Sequence, residues 1–202
     1  TDINTWLGAA AGTYGYEWGF SSNWSKGSVP TSSSKVIIPA TAKAPSLDLA
    51  SQAATVTIEA GGVLNGGAGT VLTISGGPAS NGGVGSWNNS GTFNPESSTV
   101  VFDYTEATID GSTTFNNLTI NSGKALTPQS ASAIRIGGIF SNSGTLNSHL
   151  FNNTVDYFGD NQSVVSPGGS SSAYYNLNLS GSGTKTMPAT AMSILGDFTV
   201  DG

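Results

Sequence analysis

The chain has 202 residues, and Gly, Ser, Thr and Asn together supply 98 of them. Charged residues are 9% of the total, against roughly 25% in ordinary globular domains, which argues against a charge-laced helical bundle or coiled coil. An apolar content of 37% with a formal charge of only -6 argues equally against intrinsic disorder, which combines low hydrophobicity with high net charge.

The isoelectric point near 4.4 and six scattered cations (Lys26, Lys35, Lys43, Lys124, Arg135 and Lys185) exclude the basic footprint that a phosphate backbone requires. Nucleic acid is therefore not an expected partner. No stretch approaches the ~20 apolar residues needed to cross a bilayer, so no membrane span is expected. The absence of Cys removes disulfides, thiolate metal sites and Cys nucleophiles together. The sequence starts at Thr1 without Met or a leader-like stretch, the pattern of a processed chain or an excised segment.

Taken in chain order, residues 1–45 stand apart. They hold three of the four Trp (Trp6, Trp18 and Trp24), with Tyr14 and Tyr16, followed by Val29-Pro30 and Ile38-Pro39. Two readings fit. The aromatics can plug the open core of a stack of coils, whose exposed strand edges need covering. Alternatively, Trp6, Trp18, Trp24 and Tyr16 can form a platform for sugar rings, because indole and phenol rings pair an apolar face with a polar handle.

From residue 46 onward, short runs rich in aliphatic and β-branched residues read as strands: Thr55 to Ile58, Val71 to Ile74, Thr99 to Phe102, Leu118 to Ile120 and Ser193 to Leu195. Most are bounded by Gly, Asn, Ser or Pro. No window carries sustained helical periodicity with caps. The spacing predicts an all-β fold, a right-handed parallel β-solenoid with an aromatic-rich N-terminal cap. Small residues suit a narrow bore, and like side chains can stack on successive coils.

Internal similarity supports that reading. TVVFDYTEATI (Thr99 to Ile109) matches TVDYFGDNQSV (Thr154 to Val164) at an offset of 55, and FNNLTI (Phe115 to Ile120) matches YYNLNL (Tyr174 to Leu179) at 59. IGGIFS (Ile136 to Ser141) matches ILGDFT (Ile194 to Thr199) at 58, and WNNSGTFN (Trp87 to Asn94) returns as FSNSGTLN (Phe140 to Asn147). The solenoid is thus expected over 46–202, in units of about 55 residues at 46–98, 99–153 and 154–202. Asn117 and Asn176 each stand between an aromatic and a strand. A turn role is expected for both, with left-handed backbone and an amide reaching a neighbouring coil.

The runs TWLG (Thr5 to Gly8), SNW (Ser22 to Trp24), VIIP (Val36 to Pro39) and VTIEAGGVL (Val56 to Leu64), with NSGTFN, VVFD and TFNNLTI, resemble the repetitive regions of large secreted surface proteins of Bacteroidetes-type bacteria. The resemblance covers nearly the whole chain. It implies parallel β-helix character and a place outside the cell, as a stalk, adhesin or filament component.

Candidate chemistry is sparse. His149, the single histidine, has no G-x-S-x-G elbow to pair with. Asp103, Glu106 and Asp110, and then Asp156 and Asp160, are the carboxylates a β-helix enzyme would need for Ca²⁺ beside a basic group such as Arg135. They do not repeat between units, and no EF-hand loop or glycine-aspartate nonapeptide accompanies them. Six N-x-[ST] sequons, at Asn23, Asn88, Asn117, Asn152, Asn161 and Asn178, mark possible glycan acceptors.

No catalytic residue, cofactor or metal ligand is assigned on this basis. The expected function is that of an extracellular structural protein, a rod or stalk module of a cell-surface adhesin or filament. Its partners would be adjacent repeats of a longer chain, or copies of itself head to tail, with cell-surface glycans as further candidates. A carbohydrate-binding module and a β-helix polysaccharide-acting enzyme are the alternatives.

Overall fold

The computed structural model describes residues 2–48, 50–78, 82–130 and 132–201. It is all-β, a solenoid of about eight turns in which parallel strands stack coil on coil. Each turn has three sides. With strands numbered in chain order, the first side is β1 (Ile3–Thr5), β2 (Lys35–Ile38), β4 (Thr55–Ile58), β7 (Trp87–Asn89), β10 (Ala107–Asp110), β13 (Ala125–Pro128) and β16 (Thr145–Leu146). The second side is β5 (Val63–Asn65), β8 (Thr92–Asn94), β11 (Thr113–Phe115), β14 (Ala133–Ile136), β17 (Thr154–Tyr157), β20 (Asn176–Leu179) and β23 (Phe198–Val200). The third side is β3 (Ala50–Ala53), β6 (Val71–Ile74), β9 (Thr99–Phe102), β12 (Asn117–Ile120) and β15 (Phe140–Asn142). Near the C-terminal end the third side continues as β18 (Gln162–Ser163) and β21 (Lys185–Thr186), and the first as β19 (Ala173–Tyr174) and β22 (Ser193–Ile194).

The core follows from strict alternation. In β2, β6, β9, β12 and β20 every second side chain points inward and is buried, so parallel register stacks like on like. One column of the third side runs Ala53, Ile74, Phe102, Ile120, and one of the second runs Ile136, Tyr157, Leu179, Val200. Each buried Val, Leu, Ile or Phe contributes roughly 1.5–3 kcal/mol from removed apolar surface. Phe198 and Val200 hold the inward register of β23 but are 51% and 65% exposed, because no described strand is stacked on them.

Turn length varies. Registers give 18 to 23 residues per turn, except for the first turn at 32 and one enlarged turn at 28 to 31. The ~55-residue sequence unit is therefore not a turn. Every matched block is displaced by eight strands: β7 onto β15, β9 onto β17, β12 onto β20, β15 onto β23. Eight strands make two full turns and two sides of a third, so each copied block lands on a different side of the prism.

What is copied is corner chemistry. In the two N-S-G-T corners, the Oδ1 atoms of Asn89 and Asn142 accept hydrogen bonds from the N–H groups of Gly91 and Gly144 at 3.2 and 3.1 Å. A Cβ on Gly144 would lie 2.3 Å from the carbonyl oxygen of Lys124 and 2.5 Å from that of Asn121 in the preceding turn. Gly91 meets the oxygens of Glu59 and Gly62 in the same way, both at 2.4 Å. Gly144→Ala is expected to cost about 1–3 kcal/mol by overpacking against backbone. Exposed Ser143→Ala beside it should stay within about 0.5 kcal/mol. Urea unfolding of both variants measures the difference, and equal midpoints would refute the close-approach account.

Asn117 and Asn176 bridge coils, as expected of their amides, but not from left-handed backbone. Both open strands, and the described non-glycine residues with positive φ are Glu96, Ser130 and Ser172. The bend falls one residue earlier, at Asn116 and Tyr175. Asn117 Oδ1 accepts from the Ile139 N–H and Asn176 Oδ1 from the Asp197 N–H, both at 2.8 Å, while each Nδ2 donates to a Thr hydroxyl of the turn before. Gly138 and Gly196 stand against those Oδ1 atoms, where a Cβ would approach to 2.4 Å. The amide and the glycine it packs on are one device, which explains why they recur in the same order.

Candidate functional site

Residues 1–45 were expected to form a cap, and the solenoid already begins inside them. β1 pairs in parallel with β2, and Glu17 bridges to Ser46 on the second side. The cap itself is an antiparallel strap over residues 23–28. Leu7 N–H donates to Asn23 O, Ser25 N–H to Thr5 O, and the side chain of Asn4 takes the Lys26 N–H and gives its own N–H to Ser28 O. The outer edge of β1 is thus covered. Lys26 and Ser34 both hydrogen-bond Asp2, and the Lys26 contact, followed by that of Ser34, holds its carboxyl below the usual carboxylate range.

Beneath the strap, Trp6, Trp18 and Trp24 are at most 1% exposed. Trp24 meets Trp6 and Trp18 edge to face at centroid distances of 5.0 and 4.8 Å. Its Nε1 donates to Trp18 O at 2.7 Å, and Trp6 Nε1 donates to Lys43 O at 2.6 Å. These rings offer no face to a sugar, which corrects the platform reading for all three. Tyr16 is exposed, and Tyr14 stacks on Phe20 at 5.1 Å. Residue type alone did not separate plug from platform; the strap does. The sequon residue Asn23 is also buried, its amide bonded to Ala10, Tyr14 and Glu17 backbone atoms.

Three of the five candidate carboxylates, Asp103, Asp156 and Asp160, are engaged with neighbouring side chains. Asp103 pairs with Lys124 at 3.6 Å and accepts from Asn121. Asp156, buried on the second side, pairs with Arg135 Nε at 2.9 Å and accepts from Ser180 Oγ at 2.7 Å. Arg135 also lies over the Phe158 ring, 4.6 Å from its centroid, a favourable cation–π placement. Asp160 accepts from Ser182. His149 is half-buried in a turn. Among the described residues, no three acidic, His or Cys side chains come together as a metal site would need.

One concavity stands out on the first side. The connection 75–86, which enlarges one turn, leaves Pro78 as one wall, and the β9–β10 turn raises Tyr104 and Glu106 as another. The floor is a column of outward side chains in register, Thr108 on β10, Thr127 on β13 and Asn147 just past β16, with Gln129 beside it. The groove encloses about 450 Å³. The Tyr104 ring is pinned over Gly77, where a Cβ would come within 2.1 Å of it. Asn147 Nδ2 donates to Thr127 Oγ1 at 3.1 Å, and Thr108 Oγ1 accepts from the Ser86 N–H at 3.2 Å. Sequence reasoning missed this groove except for Glu106, because its lining is assembled from four successive turns. No family model matches the chain, and no curated protein sequence or solved structure is significantly similar to it.

Proposed function

We propose that the chain is a non-catalytic rod module, the stalk of a cell-surface adhesin or extracellular filament. The observation that carries this reading is the reuse of one eight-strand sequence unit within a single three-sided stack. Each turn touches only its neighbours and adds ~4.8 Å of length, so eight turns reach on the order of 40 Å and added units extend the rod without redesign. Backbone ladders and a continuous bore give rigidity without disulfides. The commitment of Asp103 and Asp156 to ion pairs supports a structural rather than a catalytic coat.

Head-to-tail addition of a second copy would need an open parallel edge on β1, and the strap covers it. This favours extension of the rod within one polypeptide over assembly from separate copies. Electron microscopy of the purified chain at high concentration is expected to show separate short rods; fibres would count against the strap argument. Immunogold labelling of intact, non-permeabilised source cells tests the location. Label on the outer surface is expected, and label seen only after permeabilisation would remove the extracellular reading.

A further inference from the structure

We propose that the first-side groove under Tyr104 is a binding site for a neutral oligosaccharide lying along the rod axis. The proposal does not depend on the stalk reading, since a rod with or without it would have the same architecture. The volume of about 450 Å³ falls within the ~300–1,000 Å³ typical of small-molecule sites.

The lining selects the ligand class. A phenol ring supplies an apolar face for the C–H side of a pyranose, with a polar tip beside it. Hydroxyls and amides of Thr108, Thr127, Gln129 and Asn147 match a partner rich in both donors and acceptors. Among the described residues no Lys or Arg lines the groove, and Glu106 is its one charged side chain, so phosphates and acidic sugars are disfavoured. A carboxylate without a cation opposite it suits a pair of neighbouring sugar hydroxyls, both donating.

Geometry adds direction. The floor groups repeat with the coil rise of ~4.8 Å, close to the length of one pyranose residue, so successive sugars would meet equivalent partners. Tyr104 is already held against Gly77, which removes ordering cost on binding. Among the described residues, the side chains of Tyr104, Glu106 and Gln129 make no hydrogen bond, so their capacity is unspent. In the next sequence unit, Gly159 and Asn161 stand at the positions of Tyr104 and Glu106, so that unit does not repeat the aromatic and acidic walls of the groove.

The test is a titration of the intact chain with cellohexaose, xylohexaose and mannohexaose, and with hexagalacturonate as the acidic counterpart, followed by amide chemical shifts and calorimetry. At least one neutral hexaose is expected to shift residues around Tyr104, Thr127 and Asn147, with the acidic one at least tenfold weaker. Tyr104→Ala should weaken binding tenfold or more and Glu106→Gln severalfold, while Tyr14→Ala, at the exposed N-terminal pair, leaves it unchanged. Thr127→Met, which fills the floor at a half-exposed position, provides a blocking variant should Tyr104→Ala misfold. The proposal is overturned if no neutral hexaose shifts the groove, if the shifts map to the Tyr14–Phe20 pair, or if the blocking variant binds as the parent does.

Discussion

Above pH 10 the protein is expected to lose its fold in a transition tied to two phenols in the bore. Tyr157 at the end of β17 and Tyr174 at the end of β19 are fully buried, and their hydroxyls lie 2.9 Å apart. Tyr174 donates to Val165 O, so its oxygen must accept from Tyr157, and Tyr157 in turn accepts from the Val165 N–H. The three groups close a ring in which every donor has an acceptor. Ionising either phenol breaks it and places a charge in an apolar bore. Burial accordingly pushes Tyr157 up to about 12, only partly offset by its hydrogen bonding with the Tyr174 hydroxyl and the Val165 N–H, and raises Tyr174 well above the ordinary tyrosine value.

The sign of the pH effect follows. Both folded-state values lie above the unfolded value of about 10, so the stabilisation is fully present below pH 10 and is lost as pH rises through the folded values. For Tyr157, two units correspond to about 3 kcal/mol by the end of that window. Alkaline titration followed by circular dichroism and phenolate absorbance should show that two of the six tyrosines ionise only as the β signal disappears. Tyr157→Phe should be less stable at neutral pH by about 1–3 kcal/mol, from its unpaired neighbours, and flatter in pH dependence. Ionisation of all six at the ordinary value with the fold intact would contradict the account.

The second large effect is expected at the other end. Trp24→Ala removes a buried ring, two edge-to-face contacts and the hydrogen bond to Trp18 O, at a cost of about 3–5 kcal/mol. In a chain of this size that shifts Tm by roughly 10 °C. Because turns interact mainly with their neighbours, the loss should be local. Hydrogen exchange is expected to lose protection first in β1, β2 and the strap, with β12, β17 and β20 holding longer. Trp24→Phe, which keeps most of the area but not the N–H donor, should fall between. Uniform loss of protection along the rod would mean that the indoles are not a terminal plug.

The solenoid was legible because its rules are local. Runs such as Val71 to Ile74 and Thr99 to Phe102 announce strands by β-branching and alternation, and Gly and Asn clusters announce corners. Which turns would be enlarged was not legible, because the sequence period reports the copied block and not the geometry that stacks it. Leu118 lies over Val100 across 18 residues, whereas Trp87 lies over Val56 across 31. The fate of the indoles depended on Asn4 and Asn23, polar residues whose types say nothing of a strap. Tyr104 stays silent for a similar reason: Thr127 and Asn147, which line the same groove, belong to later turns.

The mismatch between a block of eight strands and a prism of three sides has a geometric consequence. Any surface feature copied along with its block is carried to another flank, and it returns to the original flank only after three copies. A longer array of such blocks would therefore carry its decorations as a spiral, like the stripe on a barber's pole, and would present no single preferred azimuth to whatever approaches it.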